Sequence, residues 1–234
     1  FAISQATTTG IPVTRRIISV GATVLLLAAV IATQSRGGLL GSLAVVGIFA
    51  LKIIRSKSLL ITLGAIGAIG LYFAAGISDR ASGGAAEQGI DESAMGRIYA
   101  WEAAFKMALD NPLTGVGLDN FFSNYFFYSS HWDGLNHAVH STWFGVLAET
   151  GFLGLIIYVI LITSLIKTIR STLKQLSETT NTIEPNLNAA AYAVHAGLIG
   201  TIVSGTFLTQ GFNWPIYILA ALVVAIANIS QTAC

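Results

Sequence analysis

The feature that most constrains this chain is a series of long apolar runs. About 20 consecutive apolar residues in a helix cross the ~30 Å hydrocarbon core of a membrane. In lipid, only helices and closed barrels satisfy every backbone hydrogen bond. Six runs are predicted as transmembrane helices, at residues 17–34, 38–54, 58–76, 141–166, 191–209 and 213–230. We therefore expect an all-α, polytopic membrane protein, with three spans in residues 1–76 and three in 141–234.

Composition agrees with a membrane protein and excludes other classes. Only 10% of the residues are charged and 54% are hydrophobic, whereas soluble domains carry about 25% charged residues. A net charge of +1 provides no basic surface for nucleic acid. The single cysteine, Cys234, supports neither a disulfide framework nor a thiolate metal site. Because the chain begins at Phe1, we expect it to be part of a longer protein with further upstream spans.

The distribution of Lys and Arg predicts an orientation, because these residues concentrate in cytoplasmic loops. If the six spans alternate, eight of the 12 Lys and Arg fall on one side and four on the other. The larger group is Arg15, Arg16, Lys52, Arg55, Lys57, Lys167, Arg170 and Lys174, and the smaller group is Arg36, Arg80, Arg97 and Lys106. We therefore expect 77–140 to form a periplasmic loop, 167–190 to form a cytoplasmic linker, and both ends of the chain to be cytoplasmic.

The periplasmic loop is predicted to contain a helix over about 93–110. Ser93 is a suitable N-cap and Asn111-Pro112 ends the helix. Its apolar stripe predicts that it lies on the membrane surface; the stripe is Ile98, Trp101, Phe105 and Leu109. The following Gly115-Val116-Gly117 is interpreted as a turn, because it lacks the third glycine and the lysine of a phosphate loop. The aromatic residues of 121–132 are expected to anchor the loop at the interface, and a sugar-stacking role for one or two of them stays open.

Two arginines are candidate anion ligands. Arg36 is the only charge between Arg16 and Lys52. It either extends to the outer interface at a Gly37-Gly38 turn or binds an anion through its planar, permanently charged fork. Arg97 lies one helical turn before Trp101, so it is either solvated, paired with that ring, or part of the same kind of anion site.

His140 is the candidate base, because it closes the loop immediately before the fourth predicted span. A helix N-terminus disfavours the charged imidazole, so a neutral His140 is expected to accept a proton. On a continuous helix, Gly151 and Gly154 would share its face and form a groove for a second helix. Glu149, on the opposite face, is expected to hydrogen-bond another helix. His131, His137 and His140 lack a third metal ligand at usable spacing, so no metal site is expected.

These residues carry a resemblance to a known family. His140-Ser141, followed after nine residues by Gly151 and after two more by Gly154, matches His-[Asn/Ser/Gln]-x9-Gly-x2-[Gly/Thr/Tyr]. The pattern resembles that of the bacterial O-antigen ligase family. Two earlier stretches are also similar to that family, Ser35-Arg36-Gly37-Gly38 and Gly96-Arg97 with Trp101 ahead of Asn111-Pro112-Leu113-Thr114-Gly115-Val116-Gly117.

The resemblance implies a function as well as a fold. The expected protein is an integral membrane glycosyltransferase that moves a glycan from undecaprenyl pyrophosphate to an acceptor hydroxyl, with inversion and without metal or cofactor. The resemblance implies His140 as the base, Arg36 and Arg97 as pyrophosphate ligands, and Trp101 and His137 as further substrate-binding residues. It also places the site on the periplasmic face of the bacterial inner membrane. Expected partners are the lipid-linked donor, membrane lipids and an acceptor, which is lipid A-core, a second glycan or a protein.

The sequence is also compatible with other activities. The family also resembles O-antigen polymerases, which use a second lipid-linked glycan as acceptor, and protein O-oligosaccharyltransferases, which use Ser or Thr. A transporter or channel subunit would use Arg36 and Glu149 as pathway charges, but it should carry polar residues through several spans. The predicted spans are nearly devoid of them. A structural scaffold would not require the arrangement around His140.

Overall fold

A computed structural model describes residues 1–33, 35–54, 56–74, 92–178 and 185–233. The described residues form nine α-helices and no strand. The helices are α1 Ala2–Thr7, α2 Val13–Ala32, α3 Arg36–Ile53, α4 Lys57–Ala74, α5 Glu92–Asp110, α6 Phe121–Tyr128, α7 Thr142–Glu178, α8 Pro185–Gly205 and α9 Trp214–Ala233.

Five of the described helices are long and apolar enough to cross a membrane: α2, α3, α7, α8 and α9. Many of their large apolar side chains are exposed, as expected for surfaces that contact lipid. The prediction of an all-α polytopic membrane protein is confirmed. The third predicted span, 58–76, coincides with α4, in which the described residues Ser58–Gly67 form an apolar helix. Residues 75 and 76 lie outside the described residues, so a sixth span stays a prediction.

Two of the expected connections differ from the structure. Gly37 and Gly38 lie inside the first turn of α3 rather than forming a turn of their own, and Ser35 caps that helix by accepting a hydrogen bond from the Gly38 N–H at 3.2 Å. The expected linker 167–190 is helical up to Glu178 and again from Pro185. A buried face continues past the span at helical spacing, with Leu165, Ile169, Thr172 and Leu176 all buried. The helix therefore does not end where the lysines and arginines begin.

The chain divides into two compact units. The first unit contains Phe1–Ile77, Thr163–Ser204 and Trp214–Cys234. Within it, α3 and α8 approach closely through glycines, since a Cβ on Gly41 would lie 3.0 Å from the Gly200 carbonyl oxygen. Small residues at such a crossing are typical of helix contacts in membranes. Lys52 places its Nζ 3.4 Å from the centroid of the Tyr192 ring in a cation–π contact.

The second unit contains Ser78–Ile162 and Gly205–Asn213. The predicted loop helix is confirmed as α5, which begins at Glu92, so that Ser93 lies inside the helix instead of capping it. The core of this unit joins one face of α5 to α6 and to the start of α7. Its buried members are Ala100, Ala103, Ala104, Met107, Phe121, Tyr125, Val139 and Ala148. The predicted apolar stripe of α5 lies largely outside this core, with Ile98, Phe105 and Leu109 exposed.

The loop aromatics divide into two groups. Phe121 and Tyr125, one turn apart on α6, are buried in the core of the second unit, while Phe122, Phe126, Phe127 and Trp132 are exposed. The expectation of one interfacial belt is therefore wrong for Phe121 and Tyr125. A short helix divides its aromatic residues between a buried and an outer face, because side chains four residues apart point the same way.

Candidate functional site

The site is built where the polar loop of the second unit enters α7. His140 is exposed, but both its neighbours are anchored: Val139 is 2% exposed and Ser141 is 1% exposed. The Ser141 hydroxyl lies 3.5 Å from the Phe144 N–H, as a residue that caps α7 would place it. The backbone of His140 has φ of 46°, a left-handed conformation that is uncommon for residues other than glycine. The fold therefore holds His140 in an unusual backbone geometry and presents its ring outward.

Trp101 holds the residue before the candidate base. Its indole Nε1–H donates to the Val139 carbonyl oxygen at 3.0 Å, and its ring stacks on Phe144 with centroids 5.1 Å apart. Both contacts link α5 to the entry of α7. The structure thus gives Trp101 a positioning contact, whereas its expected contact with substrate stays a proposal.

Three titratable or charged side chains act together in this region. The pKa of His140 is lowered, first by desolvation of the part of the ring that lies against protein, then by the Arg97 guanidinium and by His137. His140 is therefore neutral near pH 7, as its proposed role as a base requires. Arg97 itself has a buried Nε with no hydrogen-bond partner among the described residues. A buried donor without a partner is costly, and a bound anion would satisfy it.

His137 is oriented by a loop carboxylate. Its Nε2 lies 2.9 Å from Asp133 Oδ2, and its ring meets Tyr125 edge-on at 5.5 Å. The hydrogen bond from His137 lowers the pKa of Asp133, with a further contribution from the Leu135 N–H. Sequence reasoning did not single out Asp133. The Asp-x3-His spacing was the available signal, although such a spacing on a loop predicts no contact by itself.

The glycine motif that follows His140 works differently from the prediction. α7 breaks at Gly151, which has φ of 69° and ψ of −172°. The groove expected from Gly151 and Gly154 on one continuous helical face is therefore wrong. His140 precedes the helix, and the break at Gly151 interrupts the periodicity on which the argument relied.

The loop that follows α5 forms backbone hydrogen bonds with α7 at the break. The Phe152 N–H donates to the Pro112 carbonyl oxygen at 2.8 Å, and the Ala148 carbonyl oxygen accepts from the Val116 N–H at 2.8 Å. The Glu149 carbonyl oxygen accepts from the Gly117 N–H at 3.2 Å. The loop thus satisfies backbone groups that a helix break leaves without intrahelical partners.

This loop packs too closely against α7 for side chains at the contact. A Cβ on Gly115 would lie 2.4 Å from the Ala148 carbonyl oxygen, and a Cβ on Gly151 would lie 2.5 Å from the Pro112 carbonyl oxygen. The stretch that ends at Gly117 and the stretch that contains Gly151 therefore pack directly against each other. That contact ties α5, which carries Arg97, to α7, which follows His140.

Arg36 belongs to the first unit. It is the first residue of α3, directly after the Ser35 cap, and it is half-buried. A helix N-terminus supplies backbone N–H groups and a positive dipole end, both of which favour anions. Arg36 therefore lies in a local setting suited to a phosphate ligand.

The other polar candidates have structural partners. Glu149 Oε1 lies 3.5 Å from the N–H of Phe121, the first residue of α6, so the expected hydrogen bond to another helix is present. His131 stacks on Tyr99 with ring centroids 3.9 Å apart. Within the described parts of the chain, no group of three or more His, Cys, Asp and Glu residues could hold a metal ion.

The described residues contain five candidate membrane spans, which define a polytopic helical membrane protein. The candidate site lies where the chain enters α7, the helix that breaks at Gly151. A family model described as O-antigen ligase matches residues 21–159, more than half of the chain, including Arg36, Arg97, His140 and Gly151. The chain belongs to the O-antigen ligase family. This membership supports an activity of the ligase or polymerase type. No curated protein and no solved structure matches the chain.

Proposed function

We propose that this chain carries the active site of a membrane glycosyltransferase that moves a glycan from undecaprenyl pyrophosphate to an acceptor hydroxyl. The observation that carries the proposal is His140, whose lowered pKa keeps it neutral and whose neighbours fix its position. Arg97 provides a positive charge close enough to act on that histidine and a buried donor without a partner. A neutral base beside a guanidinium suits displacement of an anionic leaving group.

The proposed reaction is a direct displacement. A nitrogen of the His140 imidazole accepts the proton of the acceptor hydroxyl. At the same time, the oxygen of that hydroxyl forms a bond to the anomeric carbon of the donor sugar. The bond between that carbon and the pyrophosphate oxygen breaks, and the electron pair leaves with the pyrophosphate. One displacement inverts the anomeric centre.

The arginines are proposed as ligands of the leaving group. Arg97 would hold the developing negative charge through bidentate, charge-assisted hydrogen bonds. The family resemblance assigns the same ligand to Arg36. A guanidinium remains charged when it is partly desolvated, so the reaction is proposed to need no metal. The site is proposed to face the periplasmic side of the bacterial inner membrane.

The acceptor decides which activity within the family this protein has. Transfer to lipid A-core defines a ligase, transfer to a second lipid-linked glycan defines a polymerase, and transfer to Ser or Thr defines a protein glycosyltransferase. We propose the ligase activity on the basis of family membership. The three products carry the glycan on different molecules. Electrophoresis and mass spectrometry of the products therefore distinguish the three activities.

The test is the replacement of His140 in the full-length protein. His140→Asn is preferable to His140→Ala, because asparagine tolerates the left-handed backbone found here but provides no comparable base. We expect release of undecaprenyl pyrophosphate from the donor to fall about 10²–10⁴-fold, the usual contribution of a general base. Membrane insertion and amount should be unchanged.

The matched control is His131→Asn. His131 is an exposed loop histidine that contacts Tyr99 and is given no role in transfer. This variant should transfer glycan at nearly the original rate. Near-normal transfer by His140→Asn would rule out the proposed base.

A further inference from the structure

The second unit contains a cavity of about 480 Å³ that the proposed reaction does not use. One side is α7, whose lining residues Thr142, Gly145, Val146 and Glu149 recur on one helical face. The remaining lining residues come from 118–119 and from 209–213. A cavity of this volume is within the range of sites that bind small molecules.

The lining has the chemistry of a sugar site. It contains two carboxylates, Asp119 and Glu149, and also the hydroxyl of Thr209, the amide of Asn213 and the ring of Phe212. Carboxylates accept strong hydrogen bonds from hydroxyl groups, and an aromatic face packs against the C–H groups of a sugar ring. The described residues that line the cavity include no Lys, Arg or His. Two carboxylates without a cation disfavour phosphate and other anions through like-charge repulsion.

Several lining groups remain able to bind a ligand. The Asn213 amide nitrogen donates to Gln210 Oε1 at 3.1 Å, which leaves its oxygen as an acceptor. Glu149 uses Oε1 towards Phe121, but a carboxylate has about four acceptor positions. Asp119 has φ of 59°, and backbone strain of this kind is often found where a ligand is held.

The cavity wall is made rigid by Thr142. Its hydroxyl donates to the Leu208 carbonyl oxygen at 2.7 Å and accepts from the Gln210 N–H at 3.0 Å. These bonds tie the first residue of α7 to the segment that supplies Thr209 and Asn213. The wall is therefore preformed, which lowers the cost of binding.

One lining residue of the cavity, Thr142, is close to the proposed base in the chain. Thr142 follows His140 by two residues, a chain distance of at most about 7 Å. A base must lie within hydrogen-bond reach of the hydroxyl it deprotonates. The wall residue Thr142 therefore keeps the cavity within a short distance of the His140 backbone.

We propose that this cavity is a subsite for an uncharged, hydroxyl-rich sugar of the glycan substrate. The inference rests on the proposed function. It specifies the class of substrate group that this one cavity binds. The sugar belongs either to the acceptor or to the glycan of the donor, and both present the same hydroxyl chemistry. Phosphorylated sugars are selected against.

The experiment measures sugar binding by saturation-transfer NMR on the purified full chain in lipid nanodiscs. The probes are glucose, galactose, N-acetylglucosamine and, for charge, glucose 6-phosphate. We expect at least one neutral sugar to bind at millimolar concentration, and glucose 6-phosphate to bind more weakly than glucose. Glu149→Gln and Asp119→Asn should each weaken binding about tenfold, since a charge-assisted hydrogen bond becomes a neutral one. Thr209→Phe, which fills the cavity from its exposed rim, should abolish it.

The control variant is Asp110→Asn, because Asp110 is a carboxylate that lines a different cavity of the same unit. It should leave sugar binding unchanged. The proposal is overturned if no neutral sugar binds, if binding is indifferent to Glu149→Gln, Asp119→Asn and Thr209→Phe, or if glucose 6-phosphate binds better than glucose.

Addition of undecaprenyl pyrophosphate-linked glycan identifies the source of the sugar. Displacement of the bound sugar assigns the cavity to the donor glycan, and retention assigns it to the acceptor. His140→Asn should bind sugar normally, so this measurement is independent of transfer. Transfer by a protein that binds no neutral sugar would refute the cavity alone. Sugar binding by a protein that never transfers glycan would refute the proposed function alone.

Discussion

At the scale of residues, the defining arrangement is an exposed histidine between two buried neighbours. Trp101 binds the carbonyl oxygen of Val139, and Ser141 lies in capping position at the N-terminus of α7. The left-handed backbone of His140 costs on the order of 1–3 kcal/mol, and these anchors maintain it. The backbone position of His140 is therefore determined by contacts of the neighbouring residues, and its exposed imidazole is available to a substrate.

The lowered pKa of His140 predicts a pH profile for transfer. A base works only when it is unprotonated, so activity should persist below the ordinary histidine pKa of about 6.5 and fall at more acidic pH. Desolvation is the largest cause of the shift and the Arg97 charge is the second. Arg97→Gln removes that charge, so the pKa of His140 should rise and the acidic limb of the profile should move to higher pH.

The measurement compares the transfer rates of the unmodified protein and of Arg97→Gln from pH 5 to pH 8, in membranes prepared in the same way. Lys106→Gln is the control, because Lys106 lies on the same helix and is paired with Glu102. It should not move the acidic limb. If the acidic limb of the Arg97→Gln profile stays at its original pH, even with a lower transfer rate, Arg97 does not affect the pKa of His140.

At the scale of elements, α7 is two segments joined at Gly151. In the first segment, Val146, Leu147 and Ala148 are buried, while beyond the break Leu153, Ile156, Ile157 and Ile160 are exposed apolar residues. The 37 residues of α7 exceed the ~20 needed for one span. We therefore propose that the lipid-facing part of α7 begins after the break and that the first segment belongs to the site.

The loop helix α5 fits the same proposal. Phe105, on its exposed apolar stripe, meets Phe152 edge-on with centroids 6.2 Å apart. Phe152 is the first residue after the break. The α5 stripe therefore lies beside the point at which α7 changes from protein-packed to apolar and exposed. This placement supports the interpretation of α5 as a helix at the membrane surface.

Gly151→Ala is the prediction at this scale. Its φ and ψ lie in a region occupied essentially only by glycine, and a Cβ would lie 2.5 Å from the Pro112 carbonyl oxygen. We expect a loss of stability of about 1–3 kcal/mol or more, seen as a lower thermal midpoint of the detergent-purified protein. Transfer should also fall, because the contact ties α5 to α7.

Gly47→Ala provides the control for that experiment. Gly47 lies within α3, and a Cβ there would meet nothing within 4 Å. Alanine is the better helix former by about 0.5–1 kcal/mol, so this midpoint should stay the same or rise. Equal midpoints for Gly151→Ala and the unmodified protein would show that the break is dispensable.

Gly151 also shows what the sequence could and could not predict. The apolar runs predicted the helices, because burial in lipid imposes length and composition on each span. The role of Gly151 was missed because a glycine in an apolar run is equally compatible with close packing and with a break. The deciding contact of Gly151 is made with Pro112, 39 residues earlier in the chain, and no periodicity within one helix reveals it. The bond from Trp101 to Val139 was invisible for the same reason.

At the scale of the whole molecule, the charges are few and the proposed chemistry relies on arginine. The full chain has 12 Lys and Arg and 11 Asp and Glu among 234 residues. In the described residues, the carboxylates near the site have other partners or line the proposed sugar cavity, as Asp133 and Glu149 do. A pyrophosphate leaving group needs positive charge. The family resemblance supplies it through Arg36 and Arg97.

Transfer should therefore be insensitive to chelation. Incubation of the full-length protein with EDTA is expected to leave the rate of glycan transfer unchanged, because a guanidinium, unlike a bound Mg²⁺, is not removed by a chelator. The control is EDTA already saturated with Mg²⁺, which reproduces ionic strength but extracts no metal. Loss of activity in free EDTA, its retention in saturated EDTA and its recovery with Mg²⁺ or Mn²⁺ would contradict the prediction. The leaving group would then be stabilised by a metal ion, and Arg36 and Arg97 would lose their proposed role as its sole cationic ligands.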